Sequence, residues 1–330
     1  MMPNIATDVE LIWQIMREMT KLQDNVCNKK TLLICIVGPT AIGKTALSIK
    51  IANAFATEIL SADSRQFYKE MTLGTAVPSS EELAAAPHHF IQNRSIFEAY
   101  SVGDFERDAL LKLDQLFQKH SVVVMVGGSG LYVDAVVNGL DVFPDVPSEV
   151  REKLNEELQE KGIESLQKEL KEKDPTYFQK VDIHNPHRVI RALEICRSTE
   201  KPYSSFLKKG TVNRPFNTLY IGLSAEREMV YQRINQRVEI MVAEGLVAEA
   251  EALLPHKTLN ALQTVGYREL FHYFEGTLTQ QEAIEEIKKN TRRFAKRQGT
   301  WFRNNKQINW FDYTTDSSEI ISFIKEKNAL

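Results

Sequence analysis

Cysteine is scarce: Cys27, Cys35 and Cys196 are the three in 330 residues. They form no CxxC pair, and an odd number cannot close into a disulfide framework, so a reduced, cytoplasmic chain is expected. Long apolar runs are lacking too. No stretch approaches the ~20 residues that cross a bilayer, and Asp8 and Glu10 stand where a secretory signal would place basic and then apolar residues. No membrane association is expected. The chain carries no internal repeat or low-complexity tract, which removes collagen-like, mucin-like and mostly disordered readings. Excess charge of one sign is also missing: 41 Lys and Arg against 44 Asp and Glu give 41 − 44 = −3. That balance argues against a surface coated in positive charge but leaves room for one basic stripe. What is present is ample chain, 43% of it hydrophobic, enough for one large core or two smaller ones without covalent staples.

Residues 5 to 24 place Val9, Ile12, Met16 and Met19 at helical spacing, so residues 1–30 read as an appended helix. Thr31 to Val37 is a short, wholly apolar run of the kind a buried parallel strand requires. A helix is expected from Lys44 to about Phe55, then a strand near Glu58 to Leu60, a helix over Val102 to Lys119 and a strand at Val122 to Val126. Strands alternating with helices imply an α/β fold, a parallel sheet with helices on both faces. The texture changes near Phe143. Residues 150 to 175 hold six basic and eight acidic side chains around Val150, Leu154, Leu158, Leu166 and Leu170, which reads as a solvated helical hairpin. A further helix starts at Pro186, a residue suited to a first helical turn, and strand-like sequence resumes at Asn217 to Leu223. The expected organisation is a core of residues 31–142 and 213–315, a helical insertion over 143–212 and a C-terminal tail, 316–330.

The strongest chemical signal is Gly38-Pro39-Thr40-Ala41-Ile42-Gly43-Lys44-Thr45, which fits G-x-x-x-x-G-K-[ST] between a strand and a helix. Small residues let consecutive backbone N–H groups curl around a phosphate chain, Lys44 adds a point charge, and Thr45 offers a hydroxyl to Mg²⁺. A nucleotide such as ATP is the default occupant, though any diphosphate satisfies the same donors. Asp63 follows the second strand at its carboxyl end, the usual place for ligands on an open α/β sheet. A carboxylate there can take a proton from a nucleophile or help hold a cation; the alternative is a helix cap. Gly127-Gly128-Ser129-Gly130 follows the third strand and is either a second turn on the same crevice or a simple helix start. His88, His89, His184 and His187 lack partners at metal spacing, so no zinc site is expected.

In the C-terminal third, Ile284, Ile287, Thr291, Phe294, Gln298, Trp301 and Phe302 fall on one helical face. Between Lys288 and Lys306 stand eight basic residues and no acidic one. Such a stripe is either an ordinary solvated face or a seat for a phosphate backbone.

The blocks GPTAIGKT, ADSRQFYKEMTLGTAVPS, PHHF, SVGDFERDA, VGGSGLYVDAV, NPHRVIRALEI, RINQRVEIMVAEGLVAEA, QTVGYREL and AKRQGTWFRN run in this order from about Thr31 to Phe311. Together they resemble the tRNA dimethylallyltransferases, also called tRNA isopentenyltransferases. The resemblance implies transfer of a dimethylallyl group from dimethylallyl diphosphate to N6 of adenosine 37, beside the anticodon, with release of diphosphate. It also implies Mg²⁺ as cofactor, the tRNA anticodon stem-loop as partner and a monomer. A phosphate loop then has a task in a prenyl transferase, since it holds the diphosphate leaving group.

Carried over residue by residue, Asp63 resembles the general base that takes the N6 proton. The resemblance gives Thr40, Lys44 and Thr45 the diphosphate and Mg²⁺, and Arg237 the same phosphates, so Thr40 and Arg237 join Asp63 as catalytic. The implied tRNA-contacting positions begin with Asp63, Ser64, Arg65 and Gln66. The insertion, implied to contact the anticodon stem, adds His187, Arg188, Val189, Ile190 and Arg191, together with Arg151. Gln263, Thr264, Val265, Gly266, Tyr267 and Arg268 form a third group. Lys296, Arg297, Gln298, Gly299, Thr300, Trp301, Phe302 and Arg303 form the last. Ser129 stands where the family usually has Thr, which keeps the hydroxyl and loses a methyl. Three other readings compete: an isopentenyltransferase of free AMP or ADP, a P-loop nucleotide kinase, and an RNA-binding protein without catalysis. The kinase leaves HRVIRALE and KRQGTWFR without work, the basic helix favours a polymer over a free nucleotide, and the intact Thr40, Lys44, Asp63 and Arg237 disfavour loss of catalysis.

Overall fold

The computed structural model describes residues 31–207 and 212–328; the expected N-terminal helix and Cys27 lie outside the described residues. Two compact units result, one of Met1–Val137 with Arg214–Leu330, the other of Asn138–Asn213.

The first unit is built on a sheet that has six strands among the described residues: β1 (Leu32–Val37), β2 (Ile59–Ser61), β3 (His88–His89), β4 (Val122–Val126), β5 (Asn217–Ser224) and β6 (Ile308–Asp312). Their order is β3-β2-β4-β1-β5-β6 and every pairing is parallel. All six residues of β1 and all five of β4 are buried, because helices cover both faces of a parallel sheet and leave no polar side for alternation. Ile34 and Ile36 point into one apolar cluster with Ile51 of α1 (Lys44–Ala54), whereas Leu33 and Cys35 point into the other with Phe105 and Leu113 of a helix over Val102–Lys119. The second helix, α2 (Ser80–Ala85), and the third, α3 (Val102–Lys119), both start with capping boxes, at Ser79 with Glu82 and at Ser101 with Asp104. The fourth, α4 (Gly130–Asn138), follows β4 after the three-residue turn 127–129.

The insertion folds around its own core. Its helices are α5 (Ser148–Lys161), α6 (Ile163–Lys173), α7 (Pro175–Phe178) and α8 (Pro186–Thr199), and Leu154, Leu166, Leu170, Val189, Ile190 and Leu193 pack together. Asp174 caps α7 by accepting from Tyr177 N–H at 2.9 Å and also accepts from the Ser204 hydroxyl at 2.8 Å.

After β5 come α9 (Arg227–Ala243), α10 (Leu246–Leu253), α11 (Tyr267–Phe274) and the long α12 (Gln280–Arg303), which share a third apolar cluster around Tyr267, Leu262 and Ile287. Residues 316–330, expected as a tail, instead contain α13 (Ser317–Asn328), whose Ile320 and Ile324 are buried in the sheet's core with Ile51. The spacing of four between those isoleucines makes one apolar helical stripe, enough to dock the segment.

Candidate active site

The Gly38–Thr45 loop occupies the carboxyl end of β1. Gly38 has φ 142° and a Cβ there would lie 2.6 Å from the Leu223 carbonyl oxygen of β5, so only glycine lets the loop leave the sheet at this point. Gly43, at φ 106°, takes the left-handed turn that starts α1. Side chains from two other helices brace the loop. Arg233 Nε of α9 donates to the Ala41 carbonyl at 2.7 Å. Arg237, one turn further, brings Nη1 to 3.4 Å from the Thr40 hydroxyl oxygen. Gln298 of α12 accepts from Thr40 N–H at 2.9 Å. Lys44 itself donates to the Pro39 carbonyl at 2.8 Å.

Asp63 stands two residues beyond β2, its carboxylate accepting from Arg65 N–H at 3.1 Å. That Asx-type turn fixes one oxygen and leaves the other for the cleft. Next to it, Ser64 N–H donates to the Ser129 hydroxyl oxygen at 3.1 Å, and that hydroxyl donates back to Ser64 Oγ at 3.1 Å. The turns after β2 and β4 are therefore joined. Their approach is so close that a Cβ on Gly127 would sit 2.5 Å from the Ala62 carbonyl oxygen.

These elements line an open cleft walled by Thr40, Lys44, Thr45, Asp63 and Arg237, with Gln66, Thr75, Pro78, His88 and Ile91 among its other wall residues. Its charges perturb one another. Burial lowers the Lys44 ammonium to about 8, opposed by attraction to Asp63 and assisted by repulsion from Arg237. Burial likewise lowers Arg237, again opposed by Asp63. Both cations are half-buried without a full counter-charge, an arrangement suited to an anion. Thr45 and Asp63 present hard oxygen donors to the same cleft, a donor set suited to Mg²⁺ beside phosphate oxygens.

Three of the wall residues, Thr75, Pro78 and Ile91, carry no chemical signal in the sequence, and His88 stands out there only as a histidine without partners at metal spacing. Thr75 and Pro78 lie within ADSRQFYKEMTLGTAVPS and His88 within PHHF, so the blocks contained them but no chemical spacing singled them out. His88 keeps Nδ1 on the Ala86 carbonyl at 2.7 Å, and burial holds its ring below the ordinary imidazole range. Gln66 donates to the Ala76 carbonyl at 2.8 Å, and Arg65 to the Ala261 carbonyl at 3.0 Å. Arg233 carried no motif of its own.

The remaining residues expected to touch tRNA divide by exposure. Lys296, Arg297, Thr300 and Arg303 on α12 are exposed, as are Gln263 and Arg268, while Thr264 and Val265 are half-buried. Gln298, Gly299 and Phe302 are instead buried: Gln298 is taken up by Thr40 and Gly128, and Phe302 lies in the same apolar cluster as Tyr220. Tyr267 also belongs to the core and not to an RNA surface; its hydroxyl donates to Glu249 at 2.7 Å, and Gly266, at φ 102°, is the buried turn before it. Phe294 and Trp301 leave the expected apolar face and are exposed, Trp301 donating Nε1–H to Asp134 at 2.8 Å. The basic stripe is thinner than its sequence, because Lys288 is buried and paired with Glu239 and Glu285, and Lys289 is paired with Glu286.

Within the second unit, His187 and Arg188 are exposed, but Val189 and Ile190 are core and offer no side chain to a ligand. Arg151 and Arg191 share the carboxylate of Glu194, which is 2% exposed: Arg151 donates Nε–H at 2.7 Å and Nη2–H at 3.0 Å, and Arg191 donates from Nη1. Two guanidinium groups on one carboxylate leave a net positive, geometrically fixed pair, the form suited to a phosphate.

The family model described as IPP transferase matches residues 66–305. A tRNA dimethylallyltransferase of Christiangramia forsetii is 60% identical over 295 residues, 89% of this chain and 98% of that protein. One of Cytophaga hutchinsonii is 46% identical, over 89% of this chain and 97% of its own length. Among solved structures, a tRNA isopentenylpyrophosphate transferase from Bacillus halodurans is similar with a TM-score of 0.69 and 37% identity, covering 91% of this chain and 97% of that one. A eukaryotic dimethylallyltransferase acting on tRNA shares the fold, with a TM-score of 0.76 at 24% identity over 91% of this chain and 80% of that one. With the Gly38–Thr45 loop, a carboxylate and two half-buried cations around one cleft, and a family match over residues 66–305, the chain belongs to the IPP transferase family.

Proposed function

We propose that the chain transfers a dimethylallyl group from dimethylallyl diphosphate to N6 of adenosine 37, next to the anticodon of tRNA. The observation that carries this reading is the convergence of Lys44, Thr45, Arg237 and Asp63 on one cleft in a chain closely similar to tRNA dimethylallyltransferases. The diphosphate sits on the loop Gly38–Thr45, against Lys44 and Arg237. The N6 lone pair attacks C1 of the dimethylallyl group, the C1–O bond breaks, and the electron pair leaves on diphosphate. Asp63 receives the N6 proton. An aromatic amine is a weak nucleophile because its lone pair is delocalised into the ring, so a positioned carboxylate lowers the barrier.

Negative charge grows on the leaving oxygen, and Thr40, Lys44 and Arg237 line the cleft where it does. Losing one such donor costs roughly 3 kcal/mol, on the order of a hundredfold in rate. Mg²⁺, held at the Thr45 hydroxyl, would neutralise part of the diphosphate charge. The target base leaves the anticodon stack to reach the cleft. Lys296, Arg297 and Arg303 of α12, and Arg151 and Arg191 of the second unit, hold the RNA backbone. We place the enzyme in the cytoplasm as a monomer, with its tRNA substrate.

Mass spectrometry of nucleosides from tRNA incubated with protein, Mg²⁺ and dimethylallyl diphosphate tests the reading. N6-dimethylallyl-adenosine is expected, its absence overturns the proposal, and effective competition by excess AMP against an anticodon stem-loop would move the substrate to free nucleotides.

A further inference from the structure

Gln298 occupies an unusual place for a residue within the basic segment of α12. Its neighbours Lys296 and Arg297 face solvent, yet Gln298 is 6% exposed. Its Oε1 accepts from Thr40 N–H at 2.9 Å and its Nε2 donates to the Gly128 carbonyl at 3.0 Å. The two partners fix the orientation of the amide, because a flipped group would set N–H against N–H and carbonyl against carbonyl. Gly128 is adapted to this approach, since a Cβ there would lie 2.2 Å from Gln298 Nε2.

Two consequences follow for the reaction. An amide in a phosphate loop ordinarily points at the anion, but Thr40 N–H is taken by a protein acceptor, so Thr40 meets the diphosphate through its hydroxyl. That hydroxyl is also approached by Arg237 Nη1 at 3.4 Å, so Gln298 from one helix and Arg237 from another determine where Oγ1 lies. The second consequence concerns the β4 turn. Gly128 precedes Ser129, whose hydroxyl is bonded to Ser64 beside Asp63. One side-chain amide thus spans the diphosphate loop and the turn that orients the base.

We infer that Gln298 is a positioning residue for prenyl transfer, holding the Thr40 hydroxyl and the β4 turn in register, rather than a group that touches RNA. The inference rests on the proposed function, in that Thr40 binds the leaving diphosphate. A misplacement on the scale of 1 Å in such a site costs about a hundredfold in rate.

The test compares Gln298→Leu and Gln298→Glu with the wild-type chain in three measurements: kcat and KM for dimethylallyl diphosphate, Kd for inorganic diphosphate without RNA, and Kd for an anticodon stem-loop. Gln298→Leu should lower kcat by about a hundredfold and weaken diphosphate binding by about tenfold while the stem-loop Kd stays within about twofold. Gln298→Glu keeps an acceptor for Thr40 N–H, loses the donor to Gly128 and adds a negative charge beside the loop, so it should turn over slowly and bind diphosphate no better than Gln298→Leu. Because it is isosteric, it also serves if the leucine variant does not fold. Weakened stem-loop binding with unchanged diphosphate affinity would make Gln298 an RNA-binding residue and overturn the inference; so would variants equal to wild type in all three measurements. A wild-type chain that binds diphosphate but does not prenylate RNA would defeat the proposed function separately, with the diphosphate comparison still readable.

Discussion

The Lys44 ammonium donates to the Pro39 carbonyl of its own loop at 2.8 Å, so the cation that meets the diphosphate in the proposed reaction is folded back onto backbone. A neutral carbonyl is a poor substitute for the water removed from around it, and burial lowers the group to about 8. Only the protonated form attracts an anion. A bound diphosphate raises this lowered value again, so binding draws in a proton wherever the free site has lost one.

Diphosphate affinity should therefore be nearly flat below about pH 7 and fall by up to about tenfold per pH unit above about pH 8. Calorimetry in buffers of different ionisation enthalpy should record proton uptake at about pH 9 and almost none at about pH 6.5. Lys44→Met should abolish the uptake and weaken binding. An unchanged proton count in that variant would remove Lys44 as the titrating group.

Asp63 binds Arg65 N–H through one carboxylate oxygen at 3.1 Å, and Arg65 is held elsewhere by the Asn260 and Ala261 carbonyls. Removing the carboxylate should leave the neighbouring RNA-facing segment in place. Asp63→Ala is expected to bind an anticodon stem-loop with near-normal affinity while prenylation drops by about a hundredfold to ten-thousandfold. Single-turnover assays with prebound stem-loop separate the two effects. Retained turnover would take Asp63 out of the base role.

Local chemistry was legible in sequence and long-range pairing was not. The strand, loop and helix around Gly38–Thr45 are contiguous, and Asp63 follows its strand by two residues, so both could be placed by neighbours alone. Val189 and Ile190 sit with Leu193 on one helical stripe, and that periodicity could have marked them as core despite their place in a resembling block. Gln298 offered no such signal. Its partner Gly128 is 170 residues away, and nothing in KRQGTWFR distinguishes the inward glutamine from the outward arginines. The same applies to Lys288, whose positive charge is answered by Glu239 on α9 and Glu285 one turn back.

That pairing separates the basic residues of α12 by function. Lys296 and Arg303 are exposed, whereas Lys288 is already neutralised by two carboxylates. Charge reversal of Lys296 and Arg303 should weaken stem-loop binding and lower the slope of log K against log salt by roughly one for each phosphate that is no longer neutralised. Lys288→Gln should leave the slope unchanged, although it leaves Glu239 and Glu285 without their shared cation. Filter binding across a salt series is sufficient. Equal slopes for the reversed variant and the wild type would exclude α12 as the RNA seat.

Gly74 supports the cleft wall from behind. Its N–H donates to Glu249 at 3.0 Å, the carboxylate that also accepts from Leu73 N–H at 2.8 Å and the Tyr267 hydroxyl at 2.7 Å. A Cβ on Gly74 would lie 2.5 Å from the Tyr267 ring, and that ring is fully buried and cannot retreat. Gly74→Ala should therefore cost about 1–3 kcal/mol through overpacking, seen as a lower urea midpoint with an unchanged m-value. The strain falls on residues 72–76, whose Thr75 lines the cleft and whose Ala76 carbonyl is held by Gln66, so the KM for substrate should rise as stability falls. Gly103→Ala in α3, where the nearest atom to a new Cβ is the Ser101 hydroxyl at 3.7 Å, should be neutral or stabilising by up to about 1 kcal/mol. If both substitutions behaved alike, the packing of Gly74 against Tyr267 would not be the brace that holds this wall.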